Sequence, residues 1–188
     1  MHFFYDGGGN ALNSADISIS NTHCPLDAVS NSQGSPGVYF GCTSMPGAVE
    51  GQLRYIRPDS VSSLLSPDAS STNLREPSPS NASIGSILSL TMRESTKGAV
   101  CTSSGKLGYF DTVNYGGNTN LQILISNLQN QERNSITPKS VKYVSKSVLN
   151  TVAVTFETSA NVFKVGTFRF ITINNVINPV VFKYISDT

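Results

Sequence analysis

The sequence predicts an all-β domain: an antiparallel β-sandwich, jelly-roll-like, with about 8–10 short strands, long polar loops and at most one or two short helices. Three observations carry this. Charged residues are only 13% of the chain, about half the usual share of roughly 25%. Ser, Thr and Asn fill about a third of it, and their side chains hydrogen-bond to nearby backbone, favouring turns over helix interiors. Apolar residues alternate in short runs bounded by Gly, Pro, Asn and Ser, the period of a half-buried strand.

At 188 residues the chain fits one domain. A domain of roughly 150 residues buries about 70% of the surface its unfolded chain exposes, enough for a core without metals or disulfides. Residues 1–13 read as an N-terminal arm and 14–188 as a single β-sandwich domain. The arm opens on Phe3, Phe4 and Tyr5, followed by Gly7 to Gly9. Successive strand side chains point to opposite faces, so three adjacent aromatics cannot share one face. With a glycine joint behind them, they are the candidate contacts to a neighbouring subunit.

Along the chain, Ile17 and Ile19 lie on one face of a short strand, and Val38 to Cys42 and Gln52 to Ile56 follow as strands. Asp59 or Ser60 caps one helical turn through Val61, Leu64 and Leu65. Residues 66–83 hold Pro67, Pro77 and Pro79 with few apolar residues, and read as a long Ser/Pro-rich loop. Strands resume with Leu88, Leu90 and Met92 on one face, then Ala99 to Cys101 and Leu107 to Phe110. Leu121, Leu124, Ile125 and Leu128 fit helical spacing, while Leu121, Ile123 and Ile125 fit a strand; Asn118 or Thr119 as N-cap tilts the reading to a short helix. After Pro138 come Val141 to Val144, then Val148 to Glu157 with Val152, Val154 and Phe156 on one face. Val162 to Asn174 sets Phe168 and Phe170 opposite Arg169 and Ile171, and Val180 to Ile185 closes the chain after Pro179. Their β-branched and aromatic density predicts that these last strands form the central sheet.

Chemistry-bearing patterns are sparse. His2 and His23 are the only imidazoles, and adjacent His23 and Cys24 point apart on an extended chain, which rules out a dyad between them. There is no Gly-x-Ser-x-Gly nucleophile turn. The acids are scattered singly, with Glu157 at a strand end read as a solvated charge. Cys24, Cys42 and Cys101 lack a Cys-x-x-Cys spacing and are expected as buried free thiols, with a Cys24–Cys42 bridge as the alternative. Asn81-Ala-Ser83 matches a glycosylation sequon, expected by chance in a chain without a secretion signal. Arg54 and Arg57 flank an aromatic and could hold a phosphate, but the spacing favours a solvated strand end. No catalytic residue, cofactor or metal is therefore expected, and the chain is read as not an enzyme.

The net charge of +1 contains no run of cations, so direct nucleic-acid binding is not expected. No apolar stretch approaches the roughly 20 residues of a spanning helix, and the start lacks a signal-peptide layout; a soluble protein with no membrane partner is expected. What this composition and architecture favour is a structural subunit of an assembly. In kind the chain is similar to viral or phage shell proteins: jelly-roll coat, decoration or head/tail attachment subunits. That likeness implies a virion location and partners that are copies of itself or other virion proteins. A carbohydrate- or receptor-binding fibre-head module, with a glycan receptor as partner, is the alternative, and an enzyme with an unrecognised site the second.

Overall fold

The computed structural model describes residues 26–30, 36–42, 51–56, 71–94, 96–128, 135–144, 150–157, 162–173 and 176–185. Among them are thirteen strands and no helix. They are β1 (Leu26–Ser30), β2 (Pro36–Cys42), β3 (Gln52–Ile56), β4 (Ser71–Arg75), β5 (Ile87–Met92), β6 (Gly98–Thr102), β7 (Leu107–Phe110), β8 (Asn118–Asn120), β9 (Ile123–Ile125), β10 (Thr137–Tyr143), β11 (Thr151–Glu157), β12 (Phe163–Ile173) and β13 (Val176–Ile185). The all-β expectation holds, with more strands than expected. Sheet orders are β1-β2-β3-β4-β8, β5-β6-β7-β9 and β10-β11-β12-β13. We call them the N-terminal, middle and C-terminal sheets. Every described pairing is antiparallel except β4 with β8. Most neighbours in a sheet are also neighbours in sequence, and the order of a jelly roll is not among the described pairings.

Two apolar clusters sort the sheets into layers. Ala99, Cys101, Leu107 and Tyr109 of the middle sheet join Val141, Val152, Val154, Phe156, Phe168 and Phe170 of the C-terminal sheet. Val100, Phe110, Leu90 and Met92, on the opposite face of the middle sheet, join Leu53 and Leu74 of the N-terminal sheet. The middle sheet is therefore buried on both sides: β6 is buried at all five positions and β7 at all four. This corrects the expectation that the C-terminal strands are central. Those strands alternate, as β11 does from Thr151 to Glu157, because one of their faces meets solvent.

A sheet sandwiched between two others must be thin. A Cβ on Gly98 would lie 2.5 Å from Phe110 Cζ, 2.8 Å from Met92 Sδ and 2.9 Å from the carbonyl of Thr91. Glycine here lets the Phe110 ring, its cross-strand partner, lie across the backbone.

Four further readings are corrected. The loop expected over 66–83 contains β4, where Ser71, Thr72 and Leu74 are buried. Its polar sequence is tolerated because Thr72 and Thr119 share a hydroxyl–hydroxyl bond of 2.8 Å and β3 and β8 supply the ladder. The expected helix after Asn118 is instead β8 and β9, since pairing to β4 and β7 outweighs a marginal helical period. Leu88 does not share the face of Leu90 and Met92; a register shift between Ile87 and Ser89 brings Ile87 into the core in its place. Pro179 lies inside β13 rather than before it. The expected strand at 17–19 and the helical turn at 61–65 lie outside the described residues.

The sheet edges are managed by side chains and by proline. Ser89 and Thr91 of β5 face β10, and their hydroxyls accept from the backbone N–H of Val141 and Tyr143, both at 3.1 Å. They thus stand in for a neighbouring strand. At the other edge, Phe170 donates its N–H to the Asn150 carbonyl at 2.9 Å, toward β11. Its pairing with Pro179 is therefore of the non-hydrogen-bonded kind, and position 179 faces the outer edge of β13. Proline there removes a donor, and the bulge between Thr167 and Phe168 leaves Phe182 unpaired. Both features oppose edge-to-edge pairing.

Candidate functional site

Phe3, Phe4, Tyr5, His2, His23, Cys24 and Arg57 lie outside the described residues. Of the other residues singled out by sequence, Cys101 is a free, fully buried thiol. Burial pushes its pKa up to about 12, so it remains a protonated apolar group rather than a nucleophile. Glu157 pairs with Lys139 at 2.8 Å at the end of β11. Asn81 is exposed in the left-handed region, φ 50°, with its amide donating to the Pro79 carbonyl at 3.2 Å and accepting from Asn120. Among the described residues, no three His, Cys, Asp or Glu side chains converge as a metal site, and no helix is long and apolar enough to cross a membrane.

Three polar constellations do form. The first lies, partly buried, where the middle and C-terminal sheets meet. Tyr109 stacks on Phe170 with ring centroids 4.9 Å apart. Its hydroxyl and the Arg93 Nη1 both donate to Asn150 Oδ1, each at 3.3 Å. Asn150 holds φ at 51°, a conformation asparagine tolerates better than most residues, and this turns its carbonyl to Phe170 and its amide oxygen inward. The nearby Tyr143 hydroxyl is buried with no hydrogen-bond partner. Desolvation raises both phenols, with Asp111 adding to the shift at Tyr109 and Tyr109 to that at Tyr143. Both stay neutral, and of the two only the Tyr109 hydroxyl is hydrogen-bonded. The only trace of this cluster in the sequence is an asparagine just ahead of a strand.

The second constellation is a surface pin. Glu76 accepts from Ser80 Oγ at 2.6 Å and from Lys106 Nζ at 2.9 Å. These contacts, Ser80 first, hold its carboxyl below the usual range. They tie the turn after β4 to the β6–β7 hairpin.

The third lies on the face of the N-terminal sheet turned away from the middle sheet. Leu53, Thr72 and Leu74 point inward, so their neighbours Gln52, Arg54, Ser71 and Asn73 point outward, and the register pairs Arg54 with Ser71 and Gln52 with Asn73. Gln52, Arg54 and Ser71 are nevertheless buried, at 7%, 8% and 5% exposure. This overturns the reading of Arg54 as a solvated strand end: alternation places a side chain on a face but does not say whether that face is covered. Arg54 Nε donates to Gln52 Oε1 at 2.9 Å, and Gln52 Nε2 donates to Ser71 Oγ at 3.3 Å. Arg54 Nη2 and Asn73 Oδ1 are buried without partners.

No family model matches the chain, and no curated protein matches it.

Proposed function

We propose that the protein is a non-enzymatic structural subunit of a multi-subunit assembly, of the virion kind: capsid, decoration or head/tail attachment. The observation that supports this most is the outer face of the C-terminal sheet. There the cross-strand pairs Ala153–Thr167 and Thr155–Val165, with Ile171 beyond, are half-buried in the single chain, and Phe163 is 51% exposed. The centre of this face is uncharged and mostly β-branched, with Lys142, Glu157 and Arg169 placed around it by the register. An apolar centre inside a charged rim is suited to be covered by a neighbour, because charge is depleted at the centre of protein interfaces. The defended β13 edge directs association to faces rather than to strand addition. Partners in this reading are copies of the chain or other virion proteins, with no direct contact to nucleic acid.

The test is light scattering beside far-UV circular dichroism. A β-rich spectrum with a multi-subunit mass is expected, and Val165→Lys should lower the mass while leaving the spectrum unchanged. Deleting Met1 to Gly9 should likewise weaken assembly without unfolding the domain. A strictly monomeric species at high concentration sinks the proposal.

A further inference from the structure

An arginine stays protonated under all ordinary conditions, so its burial cannot be relieved by losing the proton. A buried, uncompensated charge costs several kcal/mol. Arg54 is buried to this degree, yet among the described residues it receives only the neutral Gln52 amide oxygen, and its Nη2 has no acceptor. The ion pairs formed among the described residues engage Arg93, Lys97, Lys106 and Lys139, not Arg54. Gln52 is in turn held by Ser71, which fixes Nε and leaves the buried Nη2 as the guanidinium nitrogen without an acceptor. One strand over, Asn73 Oδ1 is a buried acceptor without a donor, and its register partner Gln52 sets it on the same face as Arg54.

We propose that Arg54 is the anchor of an oxyanion site. The planar fork of a guanidinium matches the paired oxygens of a carboxylate, sulfate or phosphate. The missing partner of Nη2 is one of these, supplied either as a free ion or as an acidic side chain of a second copy of this chain. Asn73 Oδ1 accepts an O–H where the anion carries one, as hydrogen phosphate does.

Thermal melts in sulfate or phosphate, against chloride at matched ionic strength, test this with Arg54→Met as the reference for the general stabilisation that these surface-excluded anions give any folded protein. At an anion concentration about tenfold above Kd, the wild type should gain roughly 3–6 °C more than Arg54→Met. Arg54→Lys keeps the charge without the fork and should need at least about tenfold more anion for the same gain. Arg169→Gln, which removes an exposed charge on the C-terminal sheet, should respond like the wild type. If the anion-specific gain is missing but scattering shows association that Arg54→Met or Arg54→Lys abolishes, the oxyanion is a carboxylate of a second copy. An anion gain equal in wild type and Arg54→Met overturns the site, as does the absence of both the gain and Arg54-dependent association.

Discussion

The middle and C-terminal sheets line the same apolar cluster and are built on opposite patterns. β6, Gly98 to Thr102, is buried at every position, whereas β11 and β12 bury Val152, Val154, Phe156, Phe168 and Phe170 and turn the residues between them outward. Large side chains fill both sheets, Phe156 and Phe168 in the one with a wet face and Tyr109 and Phe110 in the doubly covered one. The doubly covered sheet sets Gly98, Ala99, Cys101 and Gly108 among them, where two neighbours press on it. Density of β-branched and aromatic residues therefore marks a strand that packs strongly on at least one side. It does not mark the central layer.

The sharpest way to break this comparison is to empty the wet-faced sheet's inner side. Phe168→Ala or Phe156→Ala should each cost about 3–5 kcal/mol in denaturant melts, since both are about 1% exposed and little around them can collapse into the space. A cost below about 1 kcal/mol for either would show that the shared cluster is not the core.

The middle sheet has a pH signature. Burial raises the Cys101 thiol from its ordinary 9.0 to about 12. Across that window the unfolded chain releases the proton and the folded chain keeps it, so stability is full below pH 9 and falls as pH rises. The loss reaches on the order of 4 kcal/mol by pH 12. Tyr109 and Tyr143, raised above their ordinary 10.0, steepen it above pH 10. Urea melts from pH 8 upward should show this fall, and Cys101→Ala should flatten the first part of it. A flat profile would mean that the thiol reaches water.

Gly98→Ala tests how thin the middle sheet must be. Because one of the clashing atoms is the Thr91 carbonyl rather than a movable side-chain end, a cost of about 1–3 kcal/mol is expected. Smaller still, Tyr143→Phe removes a buried hydroxyl that has no partner and should be neutral or stabilising by up to about 1 kcal/mol, as no hydrogen bond is lost. Least of all, Arg169→Ala, exposed between two buried phenylalanines, should stay within about 1 kcal/mol. Should it be the most damaging substitution on β12, the strand faces are reversed.

Period-two alternation was enough to read from sequence that β11 and β12 are strands and which of their side chains enter the core, since a strand half in water writes its two faces into its residues. The strands at Val38, Gln52, Ala99 and Leu107 were legible for the same local reason. What the sequence could not carry was everything that depends on a second layer. β4 is polar and reads as a loop, because its burial rests on pairing with β3 and β8 and on the Thr72–Thr119 hydroxyl bond, whose partners are far apart in the chain. Arg54 was placed on the correct kind of element and the wrong side of the solvent boundary. Alternation is a local property of the backbone, so a single sequence determines it; which faces are covered is decided only when distant strands come together.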